Sequence, residues 1–306
     1  MDIDVHPLGA TDLDVADEIF RDAFGTFLGS DVFGDTDLLR TRFRAGHTTV
    51  LGAYHGSDLV GSNVVSRWGD VGWFGPLSVA PKLWDAGVGS RLMVATMEVF
   101  ADWGVTHQGL FTFAHSPRHH GLYQKFGFWP RFLTAIMSRQ VTGSEPPAGR
   151  LLSAAEDRAA AVAGCLAVTD ALHAGLDVTG EIGSVLDQGL GDVVLVGDPD
   201  APSGLAVCHT GAGSEAGTGI AFVKFAAVTP GPQARDAFDS LLAACQGWAA
   251  AAGARRLVAG VNTGRHDAYR HLLASGFRTD TPGVTMHRPN GPGYDRPDAY
   301  VLDDWR

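Results

Sequence analysis

A short glycine turn is the part of this chain best suited to chemistry. It reads Asp85-Ala86-Gly87-Val88-Gly89-Ser90-Arg91 and opens an apolar stretch running to Trp103. Glycine, lacking Cβ, lets main-chain N–H groups come close to an anion, and a helix N-terminus adds unpaired donors and a positive dipole end. A pyrophosphate is the kind of group such a turn holds. A dinucleotide fingerprint would place a third glycine at Leu92, and no Walker lysine follows the turn.

Other chemistries find less support. His115 and His119 titrate near neutral pH by type and are candidate bases, with solvent as an equal alternative. They stand four apart, but Pro117 lies between them and no acid has H-E-x-x-H spacing, so no metal site is expected. No G-x-S-x-G elbow occurs, and Cys165, Cys208 and Cys245 have neither zinc nor redox spacing. With a net charge of -11 and no basic run, neither nucleic acid nor an anionic membrane is an expected partner. The acidic N-terminus is unlike a signal peptide, and no apolar run approaches the ~20 residues of a membrane span. A cytoplasmic location is expected, and a homodimer is left open.

The elements that must position the turn follow from hydrophobic periodicity. Helix is expected over 12–24, strands over 48–54 and 59–67 around His55-Gly56-Ser57-Asp58, and a third strand over 71–79. Helix 88–103 stops at Gly104; strand 109–114, helix 118–126 and strand 132–138 complete the unit. A second series follows: helices over 154–168 and 183–188, strands over 193–196, 205–209 and 220–228, then helix 234–251. Strand 256–261, helix 267–273 and strands over 284–287 and 299–302 end it.

The two series are one pattern repeated. Pro81 and Pro230, Gly104 and Gly253, and Gly127 and Gly276 each stand 149 residues apart. That period is the size of a duplicated domain. Between the copies, Val141-Thr142-Gly143-Ser144-Glu145-Pro146-Pro147-Ala148-Gly149 is glycine- and proline-rich. The expected division is a domain over 1–141, a linker over 142–149 and a domain over 150–306.

Two motifs of the first copy resemble the GNAT superfamily of N-acetyltransferases. One is Leu77-Ser78-Val79-Ala80-Pro81 followed by the glycine turn; the other is Leu122-Tyr123-Gln124-Lys125-Phe126-Gly127-Phe128. The resemblance implies a mixed α/β fold of two tandem GNAT-like domains. Each would be a mostly antiparallel sheet with a central splayed strand pair and flanking helices. It implies acetyl-CoA as donor, bound by Leu77, Ser78, Val79, residues Asp85 to Arg91 and His115. It also implies Tyr123 as the general acid that protonates the departing thiolate, and a small-molecule amine as acceptor. A non-catalytic acyl-CoA sensor and a protein-lysine acetyltransferase are the alternatives. Trp84 stands where the family has Gln or Arg, so Arg91 is either a substitute cation or a solvent-facing residue. Trp68, Trp73, Phe74, Phe24 and Phe27 are candidates either for an acceptor wall or for core. In the second copy Asp236, Phe238 and Leu272 replace Gly87, Gly89 and Tyr123, which opposes CoA binding there.

Overall fold

The computed structural model describes residues 1–29, 33–142, 149–198 and 201–306. The first half runs β1 (Asp4–Pro7), α1 (Leu13–Leu28), α2 (Leu38–Phe43), β2 (Thr48–His55), β3 (Asp58–Trp68), β4 (Val71–Val79), α3 (Val88–Trp103), β5 (His107–Phe113), α4 (Pro117–Gln124) and β6 (Trp129–Gln140). The second runs β7 (Arg150–Leu151), α5 (Arg158–Leu172), α6 (Thr179–Asp187), β8 (Gly191–Gly197), β9 (Pro202–Gly211), β10 (Gly217–Val228), α7 (Ala234–Ala251), β11 (Arg256–Asn262), α8 (His266–Ala274), β12 (Arg278–Arg288) and β13 (Val301–Leu302).

The repeat is visible in the strand register. β4 and β5 pair in parallel from Val71↔His107 to Phe74↔Leu110, and β10 and β11 from Ile220↔Arg256 to Val223↔Ala259. Every one of these partners is displaced by the same 149 residues. The expectation of one sheet per copy is refined at the join. The strands form one continuous sheet in the order β1-β2-β3-β4-β5-β12-β6-β11-β10-β9-β8-β7, with β13 beside β10. Each half gives its closing strand to the other: β12 pairs with β5, and β6 pairs with β11. At the centre Thr134 pairs with Gly283, its own equivalent, so an approximate two-fold axis passes between them. The exchange gives β5 and β11 each a partner on the side away from β4 and β10.

α3 and α7 keep the bounds expected of them, whereas α1 and α5 each run four residues past the expected end, to Leu28 and Leu172. α3 begins after Gly87 and stops at Gly104, both left-handed. Its Val88, Leu92, Met93, Thr96 and Phe100 form the buried stripe, and Asn63 of β3 donates to the Thr96 hydroxyl at 2.8 Å. Pro117 does not break a helix; it starts α4 from the first position, where a missing N–H costs nothing. α5 starts four residues later than expected, because Asp157 caps it by accepting from the Ala160 N–H at 2.9 Å. The short β1, α2 and β7 carried too little periodicity to be expected. The linker placed over 142–149 lies largely on residues 143–148, outside the described residues.

The halves share a core. Trp68 and Trp73 are buried among Leu176, Val193 and Phe225 of the second half. Arg42 binds Glu215 across the join through both carboxylate oxygens, at 2.9 and 2.8 Å, and Lys224 reaches the same carboxylate at 2.6 Å. Among the described residues no helix is long and apolar enough to cross a membrane. The three cysteines are buried and unbridged.

Candidate active site

The site begins where β4 leaves β5. Two residues of β4, Gly75 and Pro76, bulge opposite Val64 of β3, since Phe74 pairs with Val65 and Leu77 with Asn63. Pro76 has no N–H to continue a ladder, and the parallel pairing to β5 ends one turn of the pleat earlier, at Phe74. The edge from Gly75 to Val79 therefore faces a cavity of about 630 Å³ instead of a strand.

The glycine turn lies at the mouth of the same cavity. Asp85 and Gly87 have positive φ, 66° and 87°, which bends the chain into α3. Among the described residues Gly87, Val88 and Gly89 have no main-chain acceptor for their N–H groups, as expected before the helix ladder starts. A Cβ at Gly89 would stand 3.4 Å from Leu122 and 3.8 Å from Leu77, so a larger side chain must extend into the cavity.

Trp84 does not leave the loop without a cation. Its indole N–H donates to the Val79 oxygen at 2.8 Å, which folds the ring over the loop. The Arg118 guanidinium of α4 covers that ring at 5.0 Å and pairs with Asp85 at 3.3 Å. The charge comes from α4, about thirty residues on, where sequence spacing gave no signal.

Tyr123 is on the inner face of α4 and lines the cavity with only 6% of its surface exposed. Its ring meets Phe74 edge-on at 5.6 Å. Burial pushes the phenol pKa well above its ordinary value, so the hydroxyl stays protonated. Among the described residues it has no hydrogen-bond partner, and it is free to donate to something in the cavity. One turn earlier, His119 also lines the cavity, against Phe27 at 5.1 Å. Burial first, then the charge of Arg118, lowers its pKa to about 4, so the imidazole is neutral at pH 7.

The structure thus brings together Leu77, Ser78, Val79, Asp85, Gly87, Val88, Gly89 and Tyr123. Ala86 and Ser90 belong to the loop and the first helical turn but not to the cavity wall, and Arg91 is exposed beside them. His115 is not brought in: it is exposed, its ring stacked on Phe27 at 5.8 Å. Trp68 and Trp73 are core rather than wall, whereas Phe24, Phe27 and Phe74 do line the cavity. Ile220, Phe222 and Val258 of the second half complete the wall, a contribution that required the exchanged sheet to be seen.

The corresponding place in the second half is filled by the chain itself. β13 runs antiparallel to Ala226 and Ala227, the equivalents of Leu77 and Ser78, on the edge that β11 has left. Phe238, in the place of Gly89, is fully buried and packs on Tyr300 at 5.1 Å. Arg265, Asp295, Asp303 and Tyr294 form a buried network behind this segment, with Arg265 reaching Asp295 at 2.6 Å and Asp303 at 2.9 Å.

Residues 15–128, which include the loop, the splayed edge and Tyr123, match the model of the acetyltransferase (GNAT) family. These residues belong to the GNAT family. GNAT acetyltransferases typically depend on acetyl-CoA. The full two-part architecture also has counterparts among solved structures. A Pyrococcus horikoshii protein is similar with a TM-score of 0.68 at 15% identity, over 99% of this chain and 95% of that one. A GCN5-related N-acetyltransferase from Sphaerobacter thermophilus gives 0.62 at 15% identity, over 94% and 95%. One from Kribbella flavida gives 0.54 at 19% identity, over 94% of this chain and 70% of that one. At these identities the likeness is one of fold. No curated protein matches the chain.

Proposed function

We propose that this protein transfers an acetyl group from acetyl-CoA to a primary amine of a small molecule, at a single site in the GNAT unit. The observation that carries the reading is the convergence, on one cavity, of an unpaired strand edge, a loop of free N–H groups and a buried phenol. The catalytic unit is taken as 1–141 and the second unit as 150–306, joined over 142–149.

The residues present fit the donor. N–H groups of Gly87, Val88 and Gly89 are available for a pyrophosphate, with Arg118 beside them as cation. The edge from Gly75 to Val79 can pair with the amides of an extended pantetheine arm, as an added strand would. Acetyl-CoA supplies the acyl group as a thioester. The amine nitrogen, entering neutral, forms the new N–C bond at the thioester carbon as the C–S bond breaks. Main-chain donors of β4 stabilise the charge that builds on the carbonyl oxygen. Tyr123 gives its proton to the departing sulfur, and the proton released by nitrogen returns to the tyrosine through solvent. Neutral His119 lies in the same wall and can pass that proton on.

The test is release of free thiol from acetyl-CoA in the presence of a panel of primary amines. Amine-dependent release with matching amide product is expected. Tight acetyl-CoA binding with no release on any amine would replace this reading with that of an acyl-CoA sensor.

A further inference from the structure

The carboxylates of the cavity wall already have cations beside them. Three carboxylates line it among the described residues. Asp85 is paired with Arg118 at 3.3 Å, Asp280 with Arg256 at 2.7 Å, and Glu215 with both Arg42 at 2.8 Å and Lys224 at 2.6 Å. Arg42 and Lys224 hold the Glu215 carboxyl far below its ordinary pKa against the cost of burial, so it is fixed as the centre of an ion cluster. No carboxylate is left over for an additional ammonium group. The rest of the lining is mostly apolar: Phe24, Phe27 and Phe113 from the GNAT unit share the cavity with Ile220, Phe222 and Val258.

From this distribution we infer that the acceptor is an arylalkylamine, one primary amine on a short chain bearing an aromatic ring, and not a polyamine or aminoglycoside. The inference rests on the acetyltransferase reading for the reaction, but not for the binding preference. An amine with a single charge loses it as the nucleophile becomes neutral, and nothing charged remains to bury. A polyamine would carry further ammonium groups into a mostly apolar cavity without carboxylate partners, and an unpaired buried ion is strongly disfavoured. An aromatic ring, in contrast, gains offset and edge-on contacts with the phenylalanines. The second unit, closed to cofactor by β13, thereby acts as half of the acceptor site. Ile220, Phe222 and Val258 are its specificity-determining residues.

The experiment is calorimetric titration of 2-phenylethylamine, spermidine and kanamycin into the full chain, with and without saturating CoA. Phenylethylamine should bind at least about tenfold more tightly than either polycation. Ile220→Ala, at a half-buried position where folding is little at risk, should weaken phenylethylamine by about tenfold. CoA affinity of the variant serves as the folding control. Equal or reversed preference, or no binding of phenylethylamine in either state, overturns the inference. Selective phenylethylamine binding without thiol release on any amine would sustain it while removing the acetyltransferase reading.

Discussion

Val228 donates its N–H to the main-chain oxygen of Tyr300 at 3.3 Å, and Val228 is the residue 149 positions beyond Val79. With β13 paired to Ala226 and Ala227, the chain occupies in its second unit the edge that stands open in the first. A peptide segment there makes the strand-type hydrogen bonds that an extended ligand would make. The two units are thus the same fold in a filled and an open state.

The first prediction follows from that contrast. Isothermal calorimetry with CoA should give one site per chain. Phe238 fills the place of the second loop glycine, and β13 would have to peel away before a second molecule could bind. A stoichiometry of two would show that the segment is displaced by CoA and is no permanent occupant.

Gly89→Val should abolish or severely weaken CoA binding while leaving the melting temperature near that of the wild type. The added methyl groups must enter the cavity beside Leu122 and Leu77 and screen the N–H donors of the loop. Gly89 has no positive φ, so the change is steric and carries no backbone strain. Unchanged affinity would mean that the phosphate lies elsewhere.

A third prediction concerns acid. His119 and His107 both have pKa values lowered from 6.5 to about 4, in each case mainly by burial. The folded protein therefore binds fewer protons than the unfolded chain between these values, so stability rises with pH across the window. The contribution of the neutral imidazoles is fully present above about pH 6.5 and is lost as pH falls toward 4. Melting temperature should drop over this range, and His119→Gln should make the drop shallower. An identical pH profile in the variant would remove His119 from the explanation.

These tests also mark how far the sequence alone could reach. The glycine loop, Tyr123 and the repeat were legible because each depends on local spacing: Gly87 and Gly89 two apart, Tyr123 four before Gly127, and landmarks at one offset. The exchange of β6 and β12 was not legible. Antiparallel strands of the same pattern can pair with either half's β5 equivalent, and periodicity does not choose between them. The acceptor wall was hidden for the same reason, since Ile220, Phe222 and Val258 reach the cavity only through that pairing. Arg118 was missed because its role is set by a ring contact with Trp84, a residue that by itself read as a departure from the family. His115 was placed in the site by likeness, whereas the last residues of β5 turn it outward onto Phe27.

The most direct measurement is steady-state kinetics of Tyr123→Phe on an amine that supports thiol release. The substitution removes one hydroxyl and keeps the ring that packs on Phe74. The phenol is held protonated by burial and has no hydrogen-bond partner among the described residues, so it is poised to donate to the sulfur as charge builds there. The account predicts a fall in kcat of about a hundredfold with the KM for acetyl-CoA and the melting temperature little changed. A rate within a few-fold of wild type would contradict it and leave water as the proton donor.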